Sequence, residues 1–186
     1  MKILPNILRR RSEDEDSMPT SSAYHWAVAQ GAGVVLALDQ FTKYLVQHFI
    51  PCDPGMICRV SIPSEGFARI THIHNSGSIF GLFSGNNIPL IFVSFVGVCV
   101  LLYIYKIQIK PNNWFRLSIA LQIGGALGNV TDRIRIGHVT DFIDIGVSAW
   151  RWPAFNIADA SIITGLYLLV WTILLAERDD SDEQLI

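Results

Sequence analysis

The chain carries few charges for its length. Only 16% of its 186 residues are Asp, Glu, Lys or Arg, whereas 51% are hydrophobic and the mean hydropathy is +0.37. Soluble domains usually contain about 25% charged residues, so this composition predicts a membrane protein. The net charge is -2, and the basic residues form no extended patch beyond residues 9–11. We therefore expect no nucleic-acid partner.

The sequence motifs of several enzyme classes are also missing. The chain contains no Gly-x-Ser-x-Gly elbow, no helical His-Glu-x-x-His motif and no glycine-rich phosphate loop. Lys43 has no convincing serine partner for a Ser/Lys mechanism. His72 and His74 would project from one face of a strand, but the sequence shows no third ligand for a metal ion. A metal site is therefore disfavoured, and we expect no cofactor.

Four stretches are apolar and long enough to cross a bilayer, which takes about 20 residues. They lie at about 25–49, 88–106, 114–131 and 156–176. Of the 14 Lys and Arg residues, eight fall on the side of the termini and six on the other side, and the short loop 107–113 is the more densely basic. This bias predicts cytoplasmic termini. The fold class we expect is a membrane α-helical protein with four transmembrane helices.

The segments between and beyond these stretches are polar. Residues 1–23 include an acidic run and lack hydrophobic periodicity, which predicts a disordered N-terminal tail, and residues 177–186 form a polar C-terminal tail. Within the membrane domain of residues 24–176, the segment 50–87 predicts a small extracytoplasmic sheet, with a strand at 67–74 and a lid-like hairpin at 75–83. Cys52 and Cys58 lie in this segment, where a disulfide and unpaired thiols are both compatible with the sequence.

Two aspartates border the polar bridge between the third and fourth apolar stretches. Asp141 follows the third stretch and Asp159 begins the fourth, and a hairpin between them can bring the two side chains together. Two carboxylates that share one proton can activate water to hydrolyse a peptide bond. Because a carboxylate beside a bilayer is costly to hold, this pattern predicts an intramembrane aspartyl protease.

Both aspartates also have simpler explanations. Asn156 can cap the fourth helix with Asp159 in its first turn, where the helix dipole favours an acid. Asp141 can be a solvated loop acid or a partner of Arg133 or Arg135. These alternatives stay open from the sequence alone.

Other acidic residues compete for the same role. Asp132 and Asp144 lie near the same bridge and fit the spacing of a catalytic pair equally well, so spacing does not select among the aspartates. Asp39 and Lys43 are four residues apart, which places them on one helix face as a buried pair with a supporting role. Rival classes are a small ion or proton transporter that uses Asp39 with the two other aspartates, and a scaffold that binds its partners without cutting them.

Five sequence blocks, taken together and in this order, resemble the lipoprotein signal peptidase family, also called bacterial signal peptidase II. The blocks are Asp39-Gln40-Phe41-Thr42-Lys43, Asn75-Ser76-Gly77-Ser78-Ile79-Phe80-Gly81, Gly128-Asn129-Val130-Thr131-Asp132-Arg133, Gly137-His138-Val139-Thr140-Asp141-Phe142 and Phe155-Asn156-Ile157-Ala158-Asp159. The resemblance extends over about residues 25–176. The chain departs from the family pattern at Ser78 and Ile79, where two alanines are usual. It also has an added polar N-terminal tail.

The resemblance implies a four-helix peptidase of the bacterial inner membrane with its active site near the outer leaflet and no metal. We expect it to be a monomer. The implied substrates are diacylglyceryl-modified prolipoproteins, which are cut just before the lipidated cysteine. Membrane lipid is the second implied partner. The implied catalytic pair is Asp141 and Asp159, and the conserved first-helix pair falls on Asp39 and Lys43. The implied substrate-binding or supporting positions are Asn75, Gly77, Asn129, Arg133, Asn156 and Ala158.

Overall fold

The residues that the structure describes form four long helices and a small sheet. A computed structural model describes residues 21–50, 52, 58–63, 66–77, 86–108 and 112–183, without the side chains of 21–23, 58–61 and 176–183. The helices are α1 (Ser21–Phe49), α2 (Asn87–Ile107), α3 (Asn113–Arg135) and α4 (Ile157–Glu183). The strands are β1 (Cys58–Ile62), β2 (Ala68–Asn75), β3 (Val139–Val147) and β4 (Trp150–Arg151). Each of the four predicted apolar stretches is therefore helical.

Two of these helices are long and apolar enough to cross a membrane: α2, and α4 over Ile157–Leu175. Helix α2 has no buried residue, and one broad face of it exposes large apolar side chains, including Phe92, Phe95 and Tyr103. A helix that is hydrophobic all round and has few protein neighbours is suited to contact with lipid. Helices α1 and α3 have 29 and 23 residues but carry charged side chains, so the four-span arrangement stays a prediction.

Helix α3 is the centre of the bundle, since it packs against α1, α2 and α4. Two of its glycines make this close packing possible. A Cβ on Gly125 would lie 2.5 Å from the carbonyl oxygen of Ala158, and a Cβ on Gly128 would lie 2.5 Å from Asp39 Oδ2. Small residues at these positions allow the neighbouring helices to approach closely. The main apolar core consists of Val28, Ala32, Phe115, Ile119, Ala120, Ile123 and Leu169.

The sheet is antiparallel, with strand order β1-β2-β3-β4. Strand β2 confirms the strand expected at 67–74, shifted by one residue. Strand β3 was not expected, because its two acids made residues 139–147 look like a solvent-exposed bridge. The register pairs Ile73 with Asp141 and Asn75 with Val139. Asn75 and Asp141 are therefore diagonal neighbours on one face of the sheet.

Backbone hydrogen bonds fold the bridge back onto the start of α4. The N–H groups of Phe142 and Ile143 donate to the carbonyl of Phe155 at 3.0 and 2.8 Å, and the Phe155 N–H donates to the Ile143 carbonyl at 3.1 Å. The residue after Phe155 is Asn156, the position that precedes α4. The chain therefore holds Asn156 beside Asp141.

The ends of the helical region differ from the sequence-based boundaries. Helix α1 begins at Ser21 rather than at 24, and α4 continues to Glu183 through most of the segment 177–186. This continuation contains Glu and Arg, which favour helices, and also Asp and Ser, which favour them less, so it extends a helix that the preceding apolar residues have already formed. Residues 1–20, residues 78–83 of the expected hairpin and residues 184–186 lie outside the described residues. Cys52 is disulfide-bonded, so the unpaired alternative is wrong for this residue.

Candidate active site

Asp141 lies within β3 and is almost fully buried, with 2% of its surface exposed. Its Oδ1 accepts a hydrogen bond from Asn156 Nδ2 at 2.7 Å, and its Oδ2 accepts one from Asn75 Nδ2 at 2.8 Å. The alternative of a solvated loop acid is therefore wrong. Two neutral amides hold the carboxyl group in place without supplying a positive charge.

Asp159 occupies the first turn of α4. Its backbone N–H donates to Asn156 Oδ1 at 2.9 Å, and its Oδ2 accepts from the Asn156 N–H at 3.2 Å. This reciprocal pair is a capping box, so the capping expectation is confirmed. The other oxygen, Oδ1, accepts from Asn129 Nδ2 on α3 at 2.7 Å, a contact between helices that capping does not require.

Asn156 connects the two aspartates. It is fully buried, and its side-chain NH₂ donates to Asp141 while its side-chain oxygen and backbone N–H engage Asp159. Burial and then the charge of Asp159 raise the pKa of Asp141 to about 7, although hydrogen bonds from the two amides oppose this rise. Asp141 therefore keeps its proton up to about pH 7, unlike an ordinary aspartate.

Gly77 sets the orientation of Asn75. The Gly77 N–H donates to Asn75 Oδ1 at 3.1 Å. Because the amide oxygen is engaged in this way, the NH₂ group of Asn75 is turned toward Asp141. The turn that follows β2 therefore positions one of the two donors that hold the buried carboxyl group.

A buried ionic cluster lies behind the aspartates. Lys43 Nζ contacts Asp39 Oδ2 at 2.8 Å and Asp132 Oδ2 at 3.1 Å, and it donates to Asn129 Oδ1 at 3.0 Å. Three acceptors thus satisfy the three N–H groups of the ammonium. Asp39 Oδ1 also accepts from the Ala158 N–H at 2.9 Å, which ties α1 to the start of α4. The pairing expected between Asp39 and Lys43 is observed.

This cluster occupies the interior space near Ala158. Ala158 has no exposed surface, and the room beside Gly128 is filled by the carboxyl group of Asp39. The small residues therefore support helix contact at this point. The assignment of Ala158 to the substrate site stays a prediction.

Arg133, in contrast, keeps unused hydrogen-bonding capacity. Its Nη1 donates to the Asn129 carbonyl at 3.4 Å, while its buried Nε has no hydrogen-bond partner within the described part of the chain. Its charge interacts with those of Asp159, Asp141 and Asp132. A partly exposed guanidinium next to two carboxyl groups can bind a carbonyl or phosphate oxygen.

The other two candidate aspartates are held by cations. Asp144 accepts from Arg69 at 2.8 Å and from Arg151 at 2.6 Å. Burial raises its pKa, but the hydrogen bonds from Arg151 and Arg69 outweigh burial and hold the pKa below its usual value. Asp132 contacts Lys43, as described above. Asp141 and Asp159 differ from both, because among the described residues they accept hydrogen bonds from amide and backbone N–H groups.

Sequence reasoning missed two glutamines of α1. Gln40 Nε2 donates to Asp132 Oδ1 at 2.9 Å, and Gln47 Nε2 donates to Thr140 Oγ1 at 2.7 Å. Both glutamines lie on the helix face of Lys43, at spacings of three and four residues. A polar stripe through an otherwise apolar helix was the available signal.

Comparisons with known proteins agree with the sequence-based resemblance. A family model described as "Signal peptidase (SPase) II" matches residues 32–175. The lipoprotein signal peptidase of Moorella thermoacetica is 36% identical over 152 residues, which is 81% of this chain and 94% of the relative. That of Syntrophus aciditrophicus is 38% identical over 160 residues, 81% of this chain and 93% of the relative.

Two solved structures, each described as a bacterial membrane enzyme, have the same fold. Their TM-scores are 0.67 and 0.65, with 29% and 31% identity. They cover 82% and 80% of this chain, which correspond to 90% and 92% of their own. The matched region of the family model contains every residue of the site described above.

Proposed function

Because the chain belongs to the signal peptidase II family, we propose that it is an aspartyl endopeptidase that removes the signal peptide from diacylglyceryl-modified prolipoproteins. We propose that it cuts just before the lipidated cysteine. The substrate class follows from the family and from relatives that are named lipoprotein signal peptidase. The observation that carries the two-carboxylate mechanism is the shared contact of Asn156 with Asp141 and Asp159.

In the proposed mechanism Asp159 is the general base and Asp141 the general acid. A pKa of about 7 for Asp141 supports this assignment, since burial and the charge of Asp159 leave the proton on Asp141. Asp159 accepts a proton from a water molecule as that water attacks the scissile carbonyl carbon. Asp141 gives its proton to the carbonyl oxygen. The tetrahedral intermediate then collapses: one hydroxyl returns its proton to Asp141 and forms the product carbonyl, the C–N bond breaks, and the proton held by Asp159 passes to the departing amine.

The amides around the pair supply orientation. Asn75 and Asn156 hold Asp141, and Asn129 holds Asp159. Their neutral donors fix the carboxyl groups without the strong stabilisation of the anion that a cation would give, which is consistent with acid and base roles. We assign Arg133 to the substrate, where its partly exposed guanidinium binds a backbone carbonyl or a phosphate oxygen of the lipid near the cut.

The proposed setting is the inner membrane, with cytoplasmic termini and the aspartates near the outer leaflet. The exposed apolar surface of α2 and of Ile157–Leu175 supports insertion in a bilayer. The sheet packs at the end of the bundle that holds the aspartates, since β3 contacts α1 and α3. A signal helix in the same bilayer would approach the pair from the lipid side.

A cleavage assay tests the function. The purified full chain in detergent is mixed with a diacylglyceryl precursor, and mass spectrometry locates the cut. The matched control is the same precursor without the diacylglyceryl group. We expect cleavage immediately before the lipidated cysteine and a large loss of turnover without the lipid. Cleavage elsewhere, equal cleavage of both precursors, or binding without cleavage would overturn the proposal, and the last result would favour the scaffold alternative.

A further inference from the structure

A second cluster of reactive side chains lies in the sheet region and includes neither proposed catalytic aspartate. Cys52, His72 and His74 each offer one possible ligand atom for a metal, and these atoms lie within 4.8 Å of one another. From the sequence only His72 and His74 could be expected to lie close together, because Cys52 is twenty residues away from His72. The fold supplies the third member that the sequence argument lacked.

His72 is prepared to bind a cation. It is 3% exposed, and its Nδ1 donates to the carbonyl of Ile50 at 2.6 Å. That bond leaves the lone pair on Nε2, and Nε2 has no hydrogen-bond partner among residues that the structure describes. A histidine that ligates a metal commonly donates its other ring N–H to a backbone carbonyl, as His72 does. A buried ring nitrogen without a partner calls for an explanation.

His74 supplies a second imidazole next to His72. The two rings pack edge to face with 4.8 Å between their centroids, and His138 lies on the far side of His74 at 4.0 Å. His74 is only half-buried, so its ring can turn toward a metal that His72 also binds.

The oxidation state of Cys52 determines whether such a site can form. It is disulfide-bonded, and a disulfide sulfur does not replace the thiolate that zinc requires. In this state the cluster offers only two imidazoles. Reduction would convert the sulfur into the third ligand.

We propose that reduction of the Cys52 disulfide opens a Zn²⁺ site made of Cys52 Sγ, His72 Nε2 and a ring nitrogen of His74. A dithiol supplies two electrons and two protons, so the protein disulfide becomes two thiols and the dithiol becomes a disulfide. The Cys52 thiol releases its proton when zinc binds. The fourth position of the tetrahedron is filled by water or by His138.

The geometry requires a small contraction. Zinc bonds of about 2.0–2.1 Å to nitrogen and about 2.3 Å to sulfur place the ligand atoms roughly 3.5 Å apart. In the structure these possible ligand atoms lie at most 4.8 Å apart. Rotation of the released Cys52 side chain and a small rotation of His74, which is only half-buried, can close this difference.

Zinc titration of the full chain in detergent tests the proposal, with a competing chromophoric indicator and no activity readout. The protein is titrated as purified and after treatment with a dithiol that is then removed without air. We expect one Zn²⁺ per chain in the reduced protein, bound at least about 10- to 100-fold more tightly than in the oxidised protein. With Co²⁺ the reduced protein should show a thiolate-to-metal absorption band.

Variants identify the ligands. Cys52→Ser and His72→Gln should each weaken zinc binding by the reduced protein by roughly 10- to 100-fold, and His48→Gln, at an exposed histidine, should not. Cys58 is the expected disulfide partner from the sequence, so Cys58→Ser should bind zinc without any reductant. His74→Gln replaces His72→Gln if gel filtration shows that the buried variant does not fold.

Two results would overturn the proposal. The first is a reduced wild type that binds zinc no more tightly than the oxidised protein. The second is a reduced Cys52→Ser variant that binds zinc as tightly as the reduced wild type, since the released thiol of another cysteine would then be the ligand.

Discussion

Lys43 on α1 donates a hydrogen bond to the side-chain oxygen of Asn129 on α3, at 3.0 Å. Because the oxygen of Asn129 is engaged, its NH₂ group faces Asp159 and donates to it at 2.7 Å. The buried ionic cluster and the proposed catalytic pair are therefore one hydrogen-bonded network. Changes in the cluster should act on both stability and turnover.

Replacing Lys43 by Met should strongly destabilise the protein. The change leaves Asp39 and Asp132 buried without their shared cation, and a broken buried pair typically costs about 3–5 kcal/mol. Thermal unfolding in detergent measures the loss. Asp39→Asn is the matched comparison, because Lys43 keeps Asp132 and the new amide can still accept from Ala158. A Lys43→Met variant that unfolds at the wild-type temperature would contradict the ionic role.

Removing the amide of Asn129 should lower kcat more than it changes KM. Asn129→Ala deletes the donor to Asp159, and loss of orientation at a reacting group can cost roughly 100-fold in rate. Thr131→Ala on the same helix is the control, since its hydroxyl donates to the Leu127 carbonyl of α3 itself. Steady-state kinetics on the lipidated precursor separate the two constants. Equal kcat in both variants would remove Asn129 from the mechanism.

Turnover should fall as the pH rises through about 7. The proposed acid, Asp141, has its pKa raised to about 7 by burial and by the charge of Asp159, and it loses its proton above that value. The logarithm of kcat/KM should then decrease by about one for each further pH unit. A pH series on one precursor measures this limb, with unfolding followed at each pH. Activity that stays flat from pH 6 to about 9 would contradict the assignment of the acid.

A methyl group at Gly128 should destabilise the bundle. The added Cβ would lie 2.5 Å from Asp39 Oδ2, and such overpacking usually costs about 1–3 kcal/mol. Gly97→Ala on α2 is a matched control, because a Cβ there meets nothing within 4 Å. We expect a lower unfolding temperature for Gly128→Ala and no loss for Gly97→Ala. Equal unfolding temperatures would show that the helices can separate at this contact without cost.

Local patterns in the sequence predicted much of the fold. Apolar runs located all four helices, alternation located β2, and the spacing of Asn156 and Asp159 predicted the capping box. The four-residue spacing of Asp39 and Lys43 predicted their pairing. Each of these features depends on residues close together in the chain, where helix and strand periodicity determine which side chains meet.

Local patterns could not predict contacts between residues that are far apart in the chain. Asn75 and Asp141 are 66 residues apart, and Gln40 and Asp132 are 92 apart. Nothing in the local sequence distinguishes Asp141 from Asp144, since both are on β3. They differ because Asp144 contacts Arg69 and Arg151, while Asp141 contacts two amides. Spacing within the chain therefore could not select the aspartates, and the family resemblance was needed.

The most direct test compares three aspartate-to-asparagine variants on one lipidated precursor. Asp141→Asn and Asp159→Asn each remove one half of the proposed acid–base pair, whereas Asp144→Asn makes the same change on β3 at a residue held by arginines. Turnover is measured at equal concentrations of folded protein. We predict a loss of roughly 100- to 10,000-fold for Asp141→Asn and for Asp159→Asn, and near-wild-type turnover for Asp144→Asn. Near-wild-type turnover in either of the first two variants would contradict the two-carboxylate mechanism.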